Sequence, residues 1–209
     1  MKIELISVSA LSSEEVLLTF SISSPDGNRE KRKLLIFVEQ YLSLGLRKGA
    51  LIDEQTFDII EGMSKKCRAI RKGSDLLSYS ASSKARLVQR LQNKGIDRDS
   101  AKSAAMQLES LGLINEDADV ERAVNVYLKK LYGKNRIYKE LCAKGYEREI
   151  ILRELSGIDD ETLVQNCATL LKRKYKTIPC DPQEQKKMIA ALLRYGYTFA
   201  QIKVAMKNE

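Results

Sequence analysis

Three glycines constrain the second part of this chain more than any other feature. Gly95, Gly145 and Gly196 lie 50 and 51 residues apart, and each closes the same pattern. Apolar residues stand eight and four positions before each one: Leu87 and Leu91, Ile137 and Leu141, Met188 and Leu192. That spacing puts both side chains on one face of a helix, which the glycine ends by entering the left-handed region without a Cβ penalty. An apolar residue follows each glycine (Ile96, Tyr146, Tyr197), then a polar one suited to open the next helix (Asp97, Glu147, Thr198). Apolar anchors recur six and ten positions on: Ala101 and Ala105, Ile151 and Leu155, Ile202 and Met206. A register held through three copies is an internal repeat.

Each copy also has room for a helix ahead of the glycine-stopped one, over 65–79, about 117–131 and about 160–175. Asn115 and Asp159 are good N-caps with acids in the first turn, and Asp181-Pro182-Gln183-Glu184 offers a capping box with proline at N1. The unit is therefore three helices, used three times, over 65–112, 113–157 and 158–209. One such unit buries its apolar face poorly alone, so neighbours are expected to stack into an elongated array. The last helix is expected to run to Glu209 and to fray there.

Residues 1–64 read differently. Segments 3–9 and 15–23 have strand character; in the second, Val16, Leu18, Phe20 and Ile22 share a face. Ser12-Ser13-Glu14 suits a hairpin connection, Pro25-Asp26-Gly27-Asn28 a turn, and Leu34 to Phe37 a third strand. Three short strands need a covering layer, which helices at about 38–45 and 54–72 can supply. The expected fold class is mainly α: a tandem array of three three-helix repeats, preceded by a small N-terminal antiparallel β meander with helices.

Charge divides along the same line. Residues 1–64 hold 7 Lys/Arg against 10 Asp/Glu, a net −3, whereas 65–209 hold 29 against 18, a net +11. The basic excess points to an anionic partner, nucleic acid or a protein assembled on it. Three prolines and eleven glycines favour helices. No apolar run approaches the roughly 18 residues of a membrane span, and the acidic, alternating N-terminus does not suit a signal peptide. A cytoplasmic location is expected. Cys67, Cys142, Cys167 and Cys180 are scattered without a C-x-x-C pair, and histidine is absent, so no metal or cofactor is expected. Phosphate-loop and nucleophile-elbow motifs are missing, so no catalytic residue is assigned. The acids Glu116-Asp117-Asp119 and Asp159-Asp160-Glu161 sit at helix starts, where the dipole accounts for them.

The candidate binding residues are basic. Lys84, Arg86, Arg90 and Lys94 decorate the middle helix of the first copy; Lys134, Arg136, Lys139 and Lys144 do so in the second. Lys172, Arg173 and Lys187 extend the set into the third. Arg86, Arg136 and Lys187 share one position, nine before the glycine, and would form a stripe able to follow phosphates or an acidic groove. Any one of them is also explained as solvated surface. Gly95, Gly145 and Gly196 read as structural helix stops. Tyr127, Tyr175 and Tyr195 read as packing, and Tyr138, beside Lys139, as a possible stacking contact.

Leu111-Gly112-Leu113-Ile114-Asn115-Glu116-Asp117, the stretch from Tyr132 to Tyr146 (YGKNRIYKELCAKGY) and the repeated glycine stops together resemble the RecX family of bacterial regulatory proteins. The resemblance covers roughly 65–209, with YGKNRI its most specific part, and the N-terminal portion is similar to that of the family's longer members. Ser83-Lys84-Ala85-Arg86 departs from it, since many relatives carry an acid near that helix start. The resemblance implies a monomeric, non-enzymatic modulator that binds the RecA recombinase filament on DNA, inhibits its ATPase, strand exchange and coprotease activities, and so restrains recombination and the SOS response. Contact with DNA itself would be weak and mostly non-specific. The alternative left open by the residues is a direct DNA-binding helical module or transcription regulator.

Overall fold

The computed structural model describes residues 2–175 and 178–207. They form two compact units, the first comprising Met1–Ser80 with Leu87–Leu113, the second Ala81–Arg86 with Ile114–Glu209.

In the first unit, β1 (Lys2–Ala10), β2 (Glu15–Ser23) and β3 (Arg29–Phe37) form the expected antiparallel meander. Gly27, at φ +82°, supplies the turn between β2 and β3. A fourth strand, β4 (Leu51–Ile52), adds itself to β1, giving the order β3-β2-β1-β4. With only two residues it carries no period of its own, so the sequence gives no sign of it. Helix α1 (Val38–Leu44) ends at Gly45, and helix α2 (Glu54–Tyr79) covers the sheet.

Helix α2 runs unbroken over both of the overlapping helical spans read from the sequence, about 54–72 and 65–79. Its first half joins the strand core: Phe57 meets Phe20 edge-to-face at 5.4 Å, and Ile60 is fully buried beside Leu5, Leu18 and Ile36. The same helix covers the open edge of β3. The Leu35 N–H donates to Ser64 Oγ at 3.0 Å, and the Arg68 guanidinium donates to the Lys33 carbonyl at 2.8 Å. Edge groups that would invite a foreign strand are thus satisfied internally. The second half of α2 packs on α4 (Arg98–Ser110) so tightly that a Cβ on Gly73 would lie 2.6 Å from Leu108 Cδ1. Between them α3 (Lys84–Gln92) contributes Leu87 and Leu91.

The second unit holds two three-helix groups. In one, α5 (Glu116–Lys129), α6 (Lys134–Ala143) and α7 (Arg148–Ser156) close around Val120, Val124, Tyr127, Ile137, Leu141, Ile151 and Leu155. In the other, α8 (Asp160–Lys174), α9 (Pro182–Arg194) and α10 (Phe199–Lys207) close around Cys167, Leu170, Leu171, Met188, Leu192, Tyr197, Ile202 and Ala205. The anchors read from the second and third copies fall in these cores, and those of the first copy are buried in the first unit; in the third copy Ala205 is buried and Met206 half-buried. Asp97, Asn115, Asp159 and Asp181 each accept the backbone N–H three residues on, capping α4, α5, α8 and α9. The expected run of the last helix beyond Lys207 lies outside the described residues, as do 176 and 177.

Gly95, Gly145 and Gly196 have φ of +82°, +80° and +96°. Two of them also receive another copy. A Cβ on Gly145 would lie 3.0 Å from Ser83 Oγ and 3.6 Å from the Arg86 nitrogen, at the start of α3. On Gly196 it would lie 2.6 Å from Arg136 Cβ and 2.7 Å from the Gly133 oxygen, at the start of α6. Ser83 and Gly133 occupy the same repeat position, twelve before their own glycine. Each docking thus sets a glycine stop against the first turn of the previous copy's middle helix.

Candidate cation–tyrosine interface

The second unit gathers cations around three tyrosines. Helix α5 ends in an unusual way: Leu131 has φ +58°, left-handed for a residue with a branched side chain. Its carbonyl accepts from the buried Tyr197 hydroxyl at 2.9 Å, which ties this strained corner to the third copy. The corner turns Tyr132 back onto Tyr127, the two rings stacking at 5.6 Å and 14°. Tyr195, at the end of α9, meets Tyr132 edge-on at 5.9 Å. The docking of Gly196 brings them together, since the Gly133 N–H donates to the Tyr195 carbonyl at 2.8 Å and the Asn135 N–H to the Gly196 carbonyl at 3.2 Å.

Four cations lie over these rings. The Arg136 guanidinium stands 3.8 Å from the centroid of Tyr132 and 5.2 Å from that of Tyr195, with Nε 3.6 Å from Glu140. Lys174 Nζ is 4.3 Å from Tyr195; Lys144 and Lys130 are 5.2 and 5.8 Å from Tyr127. Each such contact contributes about 0.5–2 kcal/mol and, more usefully here, fixes where the charge sits. Beside Tyr127, a cavity of about 380 Å³ is lined by Arg122, Lys130, Lys144, Tyr146 and Asp119, which Arg122 pairs with. Burial, with Asp119 and Glu116 close by, pushes the Tyr146 phenol up. Preset charges beside flat rings suit a phosphate-bearing or carboxylate-bearing surface.

The other basic residues named from the sequence have varied surroundings. Lys84 lies 3.3 Å from Glu147, and its backbone N–H donates to Glu116 at 2.7 Å. Lys134, its counterpart in the second copy, donates to the Ile158 carbonyl at 2.6 Å. Both link repeats rather than point outward. Arg86, Lys94, Lys139, Lys172, Arg173 and Lys187 are exposed, and Arg90 is half-buried. The position nine before each glycine is thus not uniform: Arg86 and Lys187 face solvent, while Arg136 is clamped between rings. Tyr138 is half-buried against the second copy's core, with Cys142 and Arg148 near its hydroxyl. Tyr132, Lys130, Lys174 and Arg122 were not singled out in the sequence. Tyr132 and Arg136 are four positions apart, a local signal; the approach of Tyr195 depends on the docking of the third copy and has none. Among the described residues no group of acids and cysteines is placed to hold a metal ion. Nor is any described helix long and apolar enough to cross a membrane.

The architecture defines a class: a helical-repeat protein with a small antiparallel sheet in front. No family model matches the chain. Two solved structures share its fold. A crystal structure of regulatory protein RecX superposes with a TM-score of 0.77 at 18% identity, over 99% of this chain and 100% of that one. RecX from Lactobacillus salivarius does so at 0.62 and 21%, over 69% and 96%. In sequence the chain is 30% identical to the regulatory protein RecX of Clostridioides difficile strain 630 over 162 residues, 77% of this chain and 74% of that protein. It is 29% identical to that of Chlorobaculum tepidum over 145 residues, 68% and 89% respectively. The chain belongs to the RecX family of regulatory proteins, and its role is regulatory.

Proposed function

We propose that this chain binds the filament that RecA recombinase forms on DNA and restrains it, lowering ATP hydrolysis, strand exchange and coprotease action. Membership of the RecX family carries this reading. The net +11 of residues 65–209 and the cation–tyrosine cluster support it, because a filament on DNA offers phosphates and acidic protein surface side by side. The chain acts by binding, as a monomer, in the cytoplasm. Exposed Lys139, Arg173, Lys174 and Lys187 make the outer contacts, while Arg136 holds the tyrosines in place.

The test is a titration of this protein into its cognate RecA on single-stranded DNA. ATP hydrolysis falls at substoichiometric amounts, and Lys130→Glu with Lys174→Glu weakens the fall while helical circular dichroism stays intact. Unchanged hydrolysis and strand exchange over the whole titration would sink the reading. A second reading, direct DNA binding, is favoured by the same cations. Sequence-selective binding that survives moderate salt would establish it, whereas a steep salt slope fits weak phosphate tracking beneath filament binding.

A further inference from the structure

The third repeat carries an apolar groove of about 440 Å³ between α9 and α10. Its floor is Ile189, Ile202 and Met206; Phe199 stands at its mouth, 60% exposed. Lys203 and Lys207, one helical turn apart on α10, form a rim, and no carboxylate among the described residues lines it. The internal repeat supplies a control for how unusual this is. The position three after the glycine holds Arg98 in the first copy and Arg148 in the second, but Phe199 in the third. The position seven before the glycine holds Val88, Tyr138 and Ile189. In the second copy these two positions therefore carry polar groups, a guanidinium and a phenol. Against the second copy, the third has hydrocarbon side chains in place of arginine and phenol, and it carries Lys203 and Lys207 where the second has Leu152 and Ser156.

We propose that this groove is a docking site for an amphipathic helical segment of a partner protein, its apolar residues flanked by carboxylates. Apolar side chains at every third or fourth position would cover Ile189, Phe199, Ile202 and Met206. Flanking Asp or Glu would face Lys203 and Lys207, which reject a basic helix by like-charge repulsion. The charge complement decides the occupant, since a nucleic-acid strand would leave the hydrocarbon surface uncovered and a helix with a basic rim would be repelled. The groove shares no residue with the cation–tyrosine cluster, and the proposal stands whether or not RecA is the partner.

Fluorescence anisotropy on the full chain tests it with two labelled 16-residue peptides. Both carry leucine at every third or fourth position; one has glutamate flanks and the other lysine. The glutamate peptide is expected to bind at least tenfold tighter than the lysine peptide. Phe199→Ser is expected to weaken it tenfold or more with circular dichroism and melting temperature unchanged, Phe199 being exposed. Lys203→Glu with Lys207→Glu is expected to invert the preference. Equal binding of the two peptides, or no effect of Phe199→Ser, would overturn the proposal. So would displacement of the bound peptide by a single-stranded oligonucleotide. Self-association in sedimentation velocity that Phe199→Ser abolishes would overturn it in favour of a second copy as occupant.

Discussion

The two dockings in the second unit solve one packing problem by different means. At Gly145 the approach is mediated by a side chain: the Ser83 hydroxyl accepts from the Arg86 N–H at 3.2 Å, capping α3, and donates to the Lys144 carbonyl at 2.7 Å. Glu116 adds a carboxylate from α5 on the Lys84 N–H, and Lys84 reaches on to Glu147. At Gly196 the closest approach is made by the main chain, with Arg136 Cβ beside it. Backbone meets backbone, and both partners are glycine. Gly133 has φ −81°, which any residue adopts, so glycine is required there for space alone. Gly196 needs it for space and for conformation. A polar relay gives a joint with some room to adjust; paired glycines give one with none, and the tighter joint is the one that assembles Tyr132, Arg136 and Tyr195.

Substitutions at equivalent positions can break or sharpen that contrast. Gly133→Ala should have the largest effect, about 3 kcal/mol of lost stability in urea unfolding, because its methyl group would overlap the Gly196 carbonyl and the Tyr197 nitrogen. Cys167, fully buried in the adjoining core, should then react with a thiol reagent under native conditions, as it does not in the parent. Gly145→Ala should cost about 2 kcal/mol, and Gly95→Ala about 1 kcal/mol. Those two have nearly the same φ, but a Cβ on Gly95 would meet none of the described residues beyond its own neighbours within 4 Å, so their difference isolates the Ser83 docking. Equal losses for Gly145→Ala and Gly95→Ala would mean that only the left-handed backbone matters at those two stops, and no loss for Gly133→Ala would mean that the tighter docking contributes nothing.

Smaller effects follow from single buried groups. Tyr197→Phe removes the hydroxyl that holds the Leu131 carbonyl and should cost about 1 kcal/mol, with near-ultraviolet dichroism of the tyrosines changed. Alkaline titration should leave stability flat below pH 9 and lower it above. Burial pushes the Cys67 and Cys167 thiols from 9.0 up to about 11 and raises the Tyr197 phenol as well. The unfolded chain therefore releases these protons first, and the stability present below pH 9 is lost as the pH rises through 11. Unfolding midpoints measured between pH 8 and 11 check the sign.

Much of the scaffold was legible because it rests on local rules. The period of Leu87, Leu91 and Gly95, the caps at Asn115 and Asp159, and the turn at Gly27 each follow from a few neighbouring residues, and the structure has them where the sequence puts them. Glu116 shows where such rules end. As an acid in the first turn of α5 it is explained by the helix dipole, yet it is buried and spends one oxygen on the Lys84 N–H, 32 residues away. Nothing near Glu116 announces that. Glu147 likewise stands at an N-cap but makes no cap bond and pairs with Lys84 instead. The cation–tyrosine cluster escaped for the same reason, since Tyr195 and Arg136 are 59 positions apart in the sequence and meet only through Gly196. β4 escaped because two residues cannot show a period.

The unbroken α2 bears on how the first unit unfolds. At about 1.5 Å per residue its 26 residues run for roughly 39 Å, with Phe57 and Ile60 in the strand core and Cys67, Ile70 and Gly73 buried further along. A cut near Lys65 would strip β3 of Arg68 and leave half a helix with its apolar face bare. The strands and the first three-helix group therefore form one cooperative element, a single foldon. Amide protons of Leu35 in β3 and of Leu108 in α4 should exchange through the same opening, with matching free energies and matching sensitivity to denaturant.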